Sequence, residues 1–222
     1  MSKYKPIEMP RSKRYGNNYW KSYSIKENRI VTFYSDLEYK NWLTVEMNPE
    51  IVHFCEQPLQ IDVVIDSKKY TSVFDMWVEK KDGAEEFWEV KYMKSLSGDD
   101  QNAIRTKQQI EKQIQWCKNN YFQHAIRTEN EIELGPEYIN NLRYLAHLCK
   151  TVDLYKDVNP YRKNVSDFLK SENKSVKEIM QEEIIVKNKE SAVLAYLIYD
   201  GTIKADLETA PFSHETEVML NG

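Results

Sequence analysis

The sequence is short of several things, and each shortage excludes something. Its three cysteines, Cys55, Cys117 and Cys149, form no Cys-x-x-Cys pair and lie far apart in apolar surroundings. That rules against a disulfide framework and reads as reduced thiols. The four histidines, His53, His124, His147 and His214, are scattered, and none pairs with a cysteine at metal-ligand spacing. They read as ordinary polar or core residues. No apolar stretch is long enough for a signal peptide at the start, MSKYKPIEMPRS, or for a membrane span later, which predicts a soluble, intracellular chain with no membrane attachment. Internal repeats and low-complexity tracts are absent. An excess of positive charge is also missing: the formal net charge is −4, which argues against a free-standing DNA binder.

What charge there is lies unevenly. Residues 1–21 carry Lys3, Lys5, Arg11, Lys13, Arg14 and Lys21 against the single acid Glu8. With Pro6, Pro10 and Gly16 among them, these residues read as a basic, extended or partly ordered arm. A basic arm on an acidic body points to DNA contact assisted by another component. Tyr19, Trp20 and Tyr23 beside it read as core or staple positions rather than base-stacking platforms. A chain of 222 residues suits one large domain, or a medium domain with a small one. The composition shifts near Val152, so we divide the chain into the arm at 1–21, a main domain at 22–150 and a small domain at 151–222.

Residues 29–34 (RIVTFY) predict a strand. Ser35-Asp36-Leu37-Glu38 then fits a capping box with Glu38 at the third helical position, and the helix stops at Asn48-Pro49. Strands follow at 51–56 and 59–65. Residues 69–93, KYTSVFDMWVEKKDGAEEFWEVKYM, read as a β-hairpin turning at Lys80-Lys81-Asp82-Gly83. Ile104, Ile110, Ile114 and Trp116-Cys117 recur at helical spacing over 101–119. A strand at 122–127 and a helix at 137–149, opened by Gly135-Pro136, complete an α/β (α+β) core with a mixed sheet. The small domain carries helical segments at 161–169, 176–181 and 191–199 before Asp200-Gly201-Thr202-Ile203. It reads either as a winged-helix-like module or as a helical tail packed on the first domain.

The chemistry concentrates in the hairpin. Side chains alternate faces along a strand, so Glu89 and Lys91 share one face while Trp88 and Val90 share the other. Asp75 stands in an apolar run, Val73-Phe74 before it and Met76-Trp77 after, where an acid is depleted unless it has a purpose. If Asp75 faces the same way, two carboxylates and an ammonium converge. Magnesium takes one or two carboxylates and keeps several waters. Asp75 and Glu89 would supply them, with the Val90 carbonyl as a further ligand. Glu38 would add another carboxylate if its helix packs on the sheet. Taken alone, Glu-x-Lys on a strand is more often a solvated ion pair.

An acid on one strand and Glu-x-Lys on the next, after a helix bearing a glutamate, resembles the PD-(D/E)xK nuclease superfamily. More narrowly, Ser35–Glu38, then Glu46-Met47-Asn48-Pro49-Glu50-Ile51-Val52, then Glu56-Gln57-Pro58, resembles TnsA, the endonuclease subunit of heteromeric cut-and-paste transposases. The likeness covers about residues 10–128 well and the tail more loosely. Two positions depart from the pattern: Phe74 replaces the usual proline before the aspartate, and Glu89 stands where some members have glutamine.

The resemblance implies a restriction-endonuclease-like core and a winged-helix-like carboxy-terminal domain. It implies a Mg²⁺-dependent DNA endonuclease, with Mn²⁺ as a possible substitute, that cuts the non-transferred strand at the transposon 5′ ends. Glu38, Asp75, Glu89 and Lys91 would be the catalytic set. Asp75, Glu89, the Val90 carbonyl and Glu38 would hold metal, and Lys91 the attacking water and scissile phosphate. The implied partners are transposon-end DNA, a TnsB-like DDE transposase and a TnsC-like AAA+ regulator met by the carboxy-terminal domain, in a bacterial cytoplasm. The rival readings are a stand-alone restriction or repair nuclease, and a non-catalytic scaffold between transposase and regulator. Lys107, Gln108 and Gln113 are candidates to support the site from the following helix.

Overall fold

The computed structural model describes residues 2–8, 18–65 and 67–221. Arg11, Lys13 and Arg14 of the expected basic arm lie outside the described residues. The chain's contacts form two units, Met1–Trp42 with Ile51–Ile132, and Leu43–Glu50 with Glu133–Gly222. No helix among the described residues is long and apolar enough to cross a membrane.

The first unit opens with an antiparallel pair, β1 (Trp20–Ser24) and β2 (Arg29–Phe33), in register from Trp20 opposite Phe33 to Ser24 opposite Arg29. The helix α1 (Asp36–Glu46) follows, and its start is set by Ser35, whose Oγ accepts the Glu38 amide at 3.1 Å. Next come β3 (Ile51–Glu56), β4 (Gln60–Ile65), β5 (Lys68–Val73), β6 (Met76–Lys80) and β7 (Glu85–Val90). The strand β8 (Gln123–Arg127) closes a four-stranded sheet of order β3-β6-β7-β8. Only β7 and β8 run parallel within it. A parallel pair needs a crossover, supplied here by α2 (Met93–Ser97) and α3 (Gln101–Asn119). A short helix, α4 (Glu129–Ile132), ends the unit. The chain is therefore a mixed α/β protein with helices flanking a mixed sheet, as expected of a restriction-endonuclease-like core.

Two sequence-based expectations change here. Residues 69–93 are not one hairpin. β5 pairs with β4 as a separate two-stranded ribbon, and the chain breaks at Phe74-Asp75 before β6 pairs with β7. The break has a physical cause. Phe74 is fully buried against Phe87, at 4.7 Å between ring centroids, and its amide donates to the Leu59 carbonyl. The Asp75 amide then donates to the Trp88 carbonyl, while the Asp75 carbonyl accepts from Gln57. The expected turn does form: the Gly83 amide donates to Lys80 O, and Gly83 holds φ +83°, a conformation glycine adopts at little cost.

The second change concerns α3. Ile104 and Ile114 stay 46% and 45% exposed, while the buried face carries Ala103, Ile110, Gln113 and Cys117. The helix is rotated from the apolar pattern because a polar side chain, Gln113, has partners waiting beneath it. The core under α3 joins Cys55, Ile61, Phe74, Trp77, Phe87 and Cys117, with Tyr4 and Trp116 packed against it. Burial pushes the Cys55 and Cys117 thiols up to about 12, so neither is a reactive thiolate.

The second unit holds α5 (Tyr138–Cys149), a π-helical turn at Leu154–Val158, α6 (Asn159–Phe168), β9 (Lys174–Ser175), α7 (Val176–Gln181), α8 (Glu190–Tyr199), β10 (Ile203–Ala205) and β11 (Glu217–Leu220). Its strands form an antiparallel sheet of order β10-β11-β9. α8 buries Ala192 to Ala195 together with Leu197 and Ile198, so it is apolar all round and central to its unit. The Ser175–Glu178 capping box starts α7. The contacts place α5 in this unit, whereas the sequence reading drew its boundary after that helix.

Candidate active site

Asp75, just ahead of β6, and Glu89, Val90 and Lys91, at the end of β7, build the centre. Extending the β6–β7 register from Met76 opposite Trp88 puts Asp75 opposite Glu89, so both carboxylates face one side. The Val90 amide donates to Asp75 Oδ2 at 2.8 Å, which holds that carboxylate across the strand pair. Lys91, whose own amide is fixed by the Arg127 carbonyl at 3.0 Å, returns its side chain over the same face. Its Nζ lies 2.7 Å from Glu89 Oε1, 3.5 Å from Asp75 Oδ2 and 3.3 Å from the Val90 carbonyl oxygen. Three oxygens thus converge on one cation.

Glu89 is 1% exposed and is held from above by α3. Gln109 Nε2 donates to its Oε1 at 3.1 Å, and Gln113 Nε2 donates to its Oε2 at 2.8 Å. Gln113 also donates to Ser72 Oγ at 2.9 Å, and its Oε1 lies 3.2 Å from His124 Nε2. Because Gln113 Oε1 can only accept, the His124 tautomer carries its proton on Nε2. Of the three candidates on this helix, Gln113 is the one hydrogen-bonded to Glu89, whereas Lys107 Nζ donates to the Gly98 carbonyl and Gln108 Oε1 is buried without a hydrogen-bond partner among the described residues. Gln109 escaped the sequence reading, although its spacing of four from Gln113 puts both on one helix face.

A Gln113→Leu substitution leaves a buried carboxylate, hydroxyl and imidazole each short of a partner. We expect a loss of about 2–4 kcal/mol of folding stability, measured by chemical denaturation of the metal-free protein.

Glu38 stands at the margin. Its Oε2 accepts from the Tyr34 amide and from Gln57 Nε2, both at 3.2 Å, and its Oε1 accepts from Ser35 Oγ at 2.9 Å. It is near enough to Asp75 to feel its charge. Gln57, read from the sequence only as part of a motif, is thus a working part of the centre: its side chain binds Glu38 and its amide binds the Asp75 backbone. Gln57 holds φ +40°, so the backbone turns sharply there to deliver both contacts.

The charges strain the centre electrostatically. Burial, and then the nearby Asp75 carboxylate, push Glu38 and Glu89 each up to about 7. Burial pulls the Lys91 ammonium down, but Asp75, Glu89 and Glu38 outweigh it and hold its pKa above the ordinary value. For Glu38 and Glu89 the folded pKa exceeds the unfolded one. Their stabilising contribution is therefore full below about pH 4.5 and is lost as pH rises through about 7. In EDTA we expect the melting temperature to fall across this window. Added Mg²⁺ should restore it, and restore more at pH 8 than at pH 5.5, because ion binding needs the deprotonated carboxylates. Thermal melts at the two pH values check this.

The residues fit a hard divalent cation. Asp75 Oδ2, Glu89 Oε1 and the Val90 carbonyl are oxygen donors already gathered about a positive charge. Among the described residues no three His, Cys, Asp or Glu side chains form a metal cage. A sparse set of two carboxylates and a carbonyl suits Mg²⁺, which retains waters, better than Zn²⁺ or Ca²⁺.

No curated protein matches the chain. Residues 48–129 match the family model described as the TnsA-like endonuclease N terminal. The matched span carries Gln57, Asp75, Glu89, Lys91, Gln109 and Gln113, and Glu38 precedes it.

Proposed function

We propose, from the premise that residues 48–129 form a TnsA-like endonuclease domain, that the protein is a Mg²⁺-dependent DNA endonuclease subunit of a heteromeric transposase. The observation that carries this reading is the convergence of Asp75 Oδ2, Glu89 Oε1 and the Val90 carbonyl on a single cationic point. A bound Mg²⁺ would supply a water of lowered pKa and neutralise charge on the phosphodiester. Asp75 and Glu89 would hold the ion with the Val90 carbonyl. Gln109 and Gln113 fix the Glu89 carboxylate so that it does not turn away.

Glu38, held by Gln57 and Ser35, would orient a water or take part in holding a second ion. Its raised pKa lets it take up a proton near neutrality. The Lys91 ammonium compensates charge developing on a phosphate oxygen. Hydrolysis would break the P–O3′ bond and leave a 5′-phosphate and a 3′-hydroxyl.

The assembly follows from the same premise. The substrate is the non-transferred strand at the 5′ ends of the transposon, and a DDE transposase processes the 3′ ends. The second unit, with helices α5 to α8 and a three-stranded antiparallel sheet, has the makings of a winged-helix-like module for an AAA+ regulator. The net charge of −4 suits a nuclease brought to DNA by partners.

The test is a nicking assay on end-labelled duplex carrying a transposon end, with and without the transposase subunit. Nicking of the 5′ strand that requires both Mg²⁺ and the transposase is expected. Cleavage by the protein alone would favour a stand-alone nuclease, and no cleavage under any condition would favour a scaffold.

A further inference from the structure

Every oxygen assigned to the metal is already in contact with the Lys91 ammonium. Nζ is 2.7 Å from Glu89 Oε1, 3.3 Å from the Val90 carbonyl and 3.5 Å from Asp75 Oδ2. Magnesium binds oxygens at about 2.0–2.1 Å. An ion bound to the same three atoms would therefore draw on the oxygens that Nζ already holds, and two cations gathered on one small set of oxygens repel each other.

Granted the metal-binding reading above, we infer that Lys91 is a built-in counter-cation that competes with the metal for the same three oxygens and must swing out for the metal to bind them. The arrangement makes sense of a crowded centre. Asp75 lies close enough to both Glu38 and Glu89 for its charge to act on each, and Lys91 is within ion-pair distance of Asp75 and Glu89. Gln109 shares Glu89 Oε1 with Lys91, and Gln113 holds Oε2, so Glu89 stays in place when the ammonium leaves. The Lys91 side chain is 30% exposed, which gives it a way out towards solvent without unfolding the sheet. Once displaced, its charge is released at the rim where a phosphodiester would lie. Metal entry and delivery of the lysine to the substrate become one event.

The test is calorimetric titration of Mn²⁺ into the full chain without DNA. Lys91→Met, which removes the competing charge, should bind Mn²⁺ at least about tenfold more tightly than wild type, while Lys91→Arg, which keeps it, should bind no more tightly. Equal or weaker binding by Lys91→Met overturns the inference and leaves the metal site standing. Binding by neither protein overturns both. A second readout uses unaltered protein: amine-reactive labelling of Lys91, followed by mass spectrometry, should speed up several-fold when Mg²⁺ is added. An unchanged or slower rate contradicts displacement.

Discussion

Asp75→Asn should reduce strand cleavage by about 10³-fold or more, with the fold intact. The substitution keeps the shape of the side chain and an oxygen to accept the Val90 amide, the 2.8 Å contact that holds it across the strands. What it removes is the negative charge. Asp75 contributes one of the two carboxylates around the Lys91 position, and its loss leaves Glu89 as the one anionic donor in direct contact there. A divalent ion would then rest on one carboxylate and a carbonyl, too little to hold it against water. Circular dichroism and the melting temperature of the metal-free variant should stay close to wild type, since relieved repulsion with Glu38 and Glu89 offsets the lost attraction to Lys91. Wild-type cleavage rates in this variant would remove Asp75 from the centre.

Arg29→Ala should destabilise the protein by about 3–5 kcal/mol. Arg29 on β2 grips Glu56 at the end of β3 with two bonds, Nη1 to Oε1 and Nη2 to Oε2, both 2.6 Å. Glu56 is 2% exposed, and besides the guanidinium it accepts, among the described residues, from the Thr32 amide at 3.3 Å. Removing Arg29 leaves a buried carboxylate without its counter-charge. Replacing both partners with apolar residues of similar size should recover most of the loss, because the pair's cost lies in desolvation. Denaturant titration of the single and double variants separates the two effects. Since Glu56 adjoins Gln57, which binds Glu38, the single variant should also cleave more slowly.

The sequence made some of this legible and hid the rest for physical reasons. Strand alternation was enough to put Glu89 and Lys91 together, because a period of two leaves no other option once the strand is recognised. The Lys80–Gly83 turn was equally plain. Asp75 ends on the same face because the register that pairs Met76 with Trp88, continued by one residue, sets it opposite Glu89, although the chain breaks just ahead of it. The break at Phe74 could not be read, because a buried phenylalanine between two apolar residues looks like a continuing strand. On α3 the sequence offers Lys107, Gln108 and Gln113 as supports without choosing among them, and the choice shows only once Glu89, Ser72 and His124 are seen beneath Gln113. Apolar periodicity cannot report a buried position whose purpose is polar. Gly135-Pro136 announced α5 but carried no information about which core would receive it, and the contacts put it with the second unit.

A catalytic centre at Asp75, Glu89 and Lys91 requires these oxygens to hold a divalent ion, and one titration addresses that requirement before any DNA or partner is added. Mn²⁺ titrated into wild-type protein and into Asp75→Asn at pH 8 should give saturable binding to the first and at least about tenfold weaker binding to the second. Equal affinity in the two proteins, or no binding to either, would contradict a metal-dependent nuclease at this site.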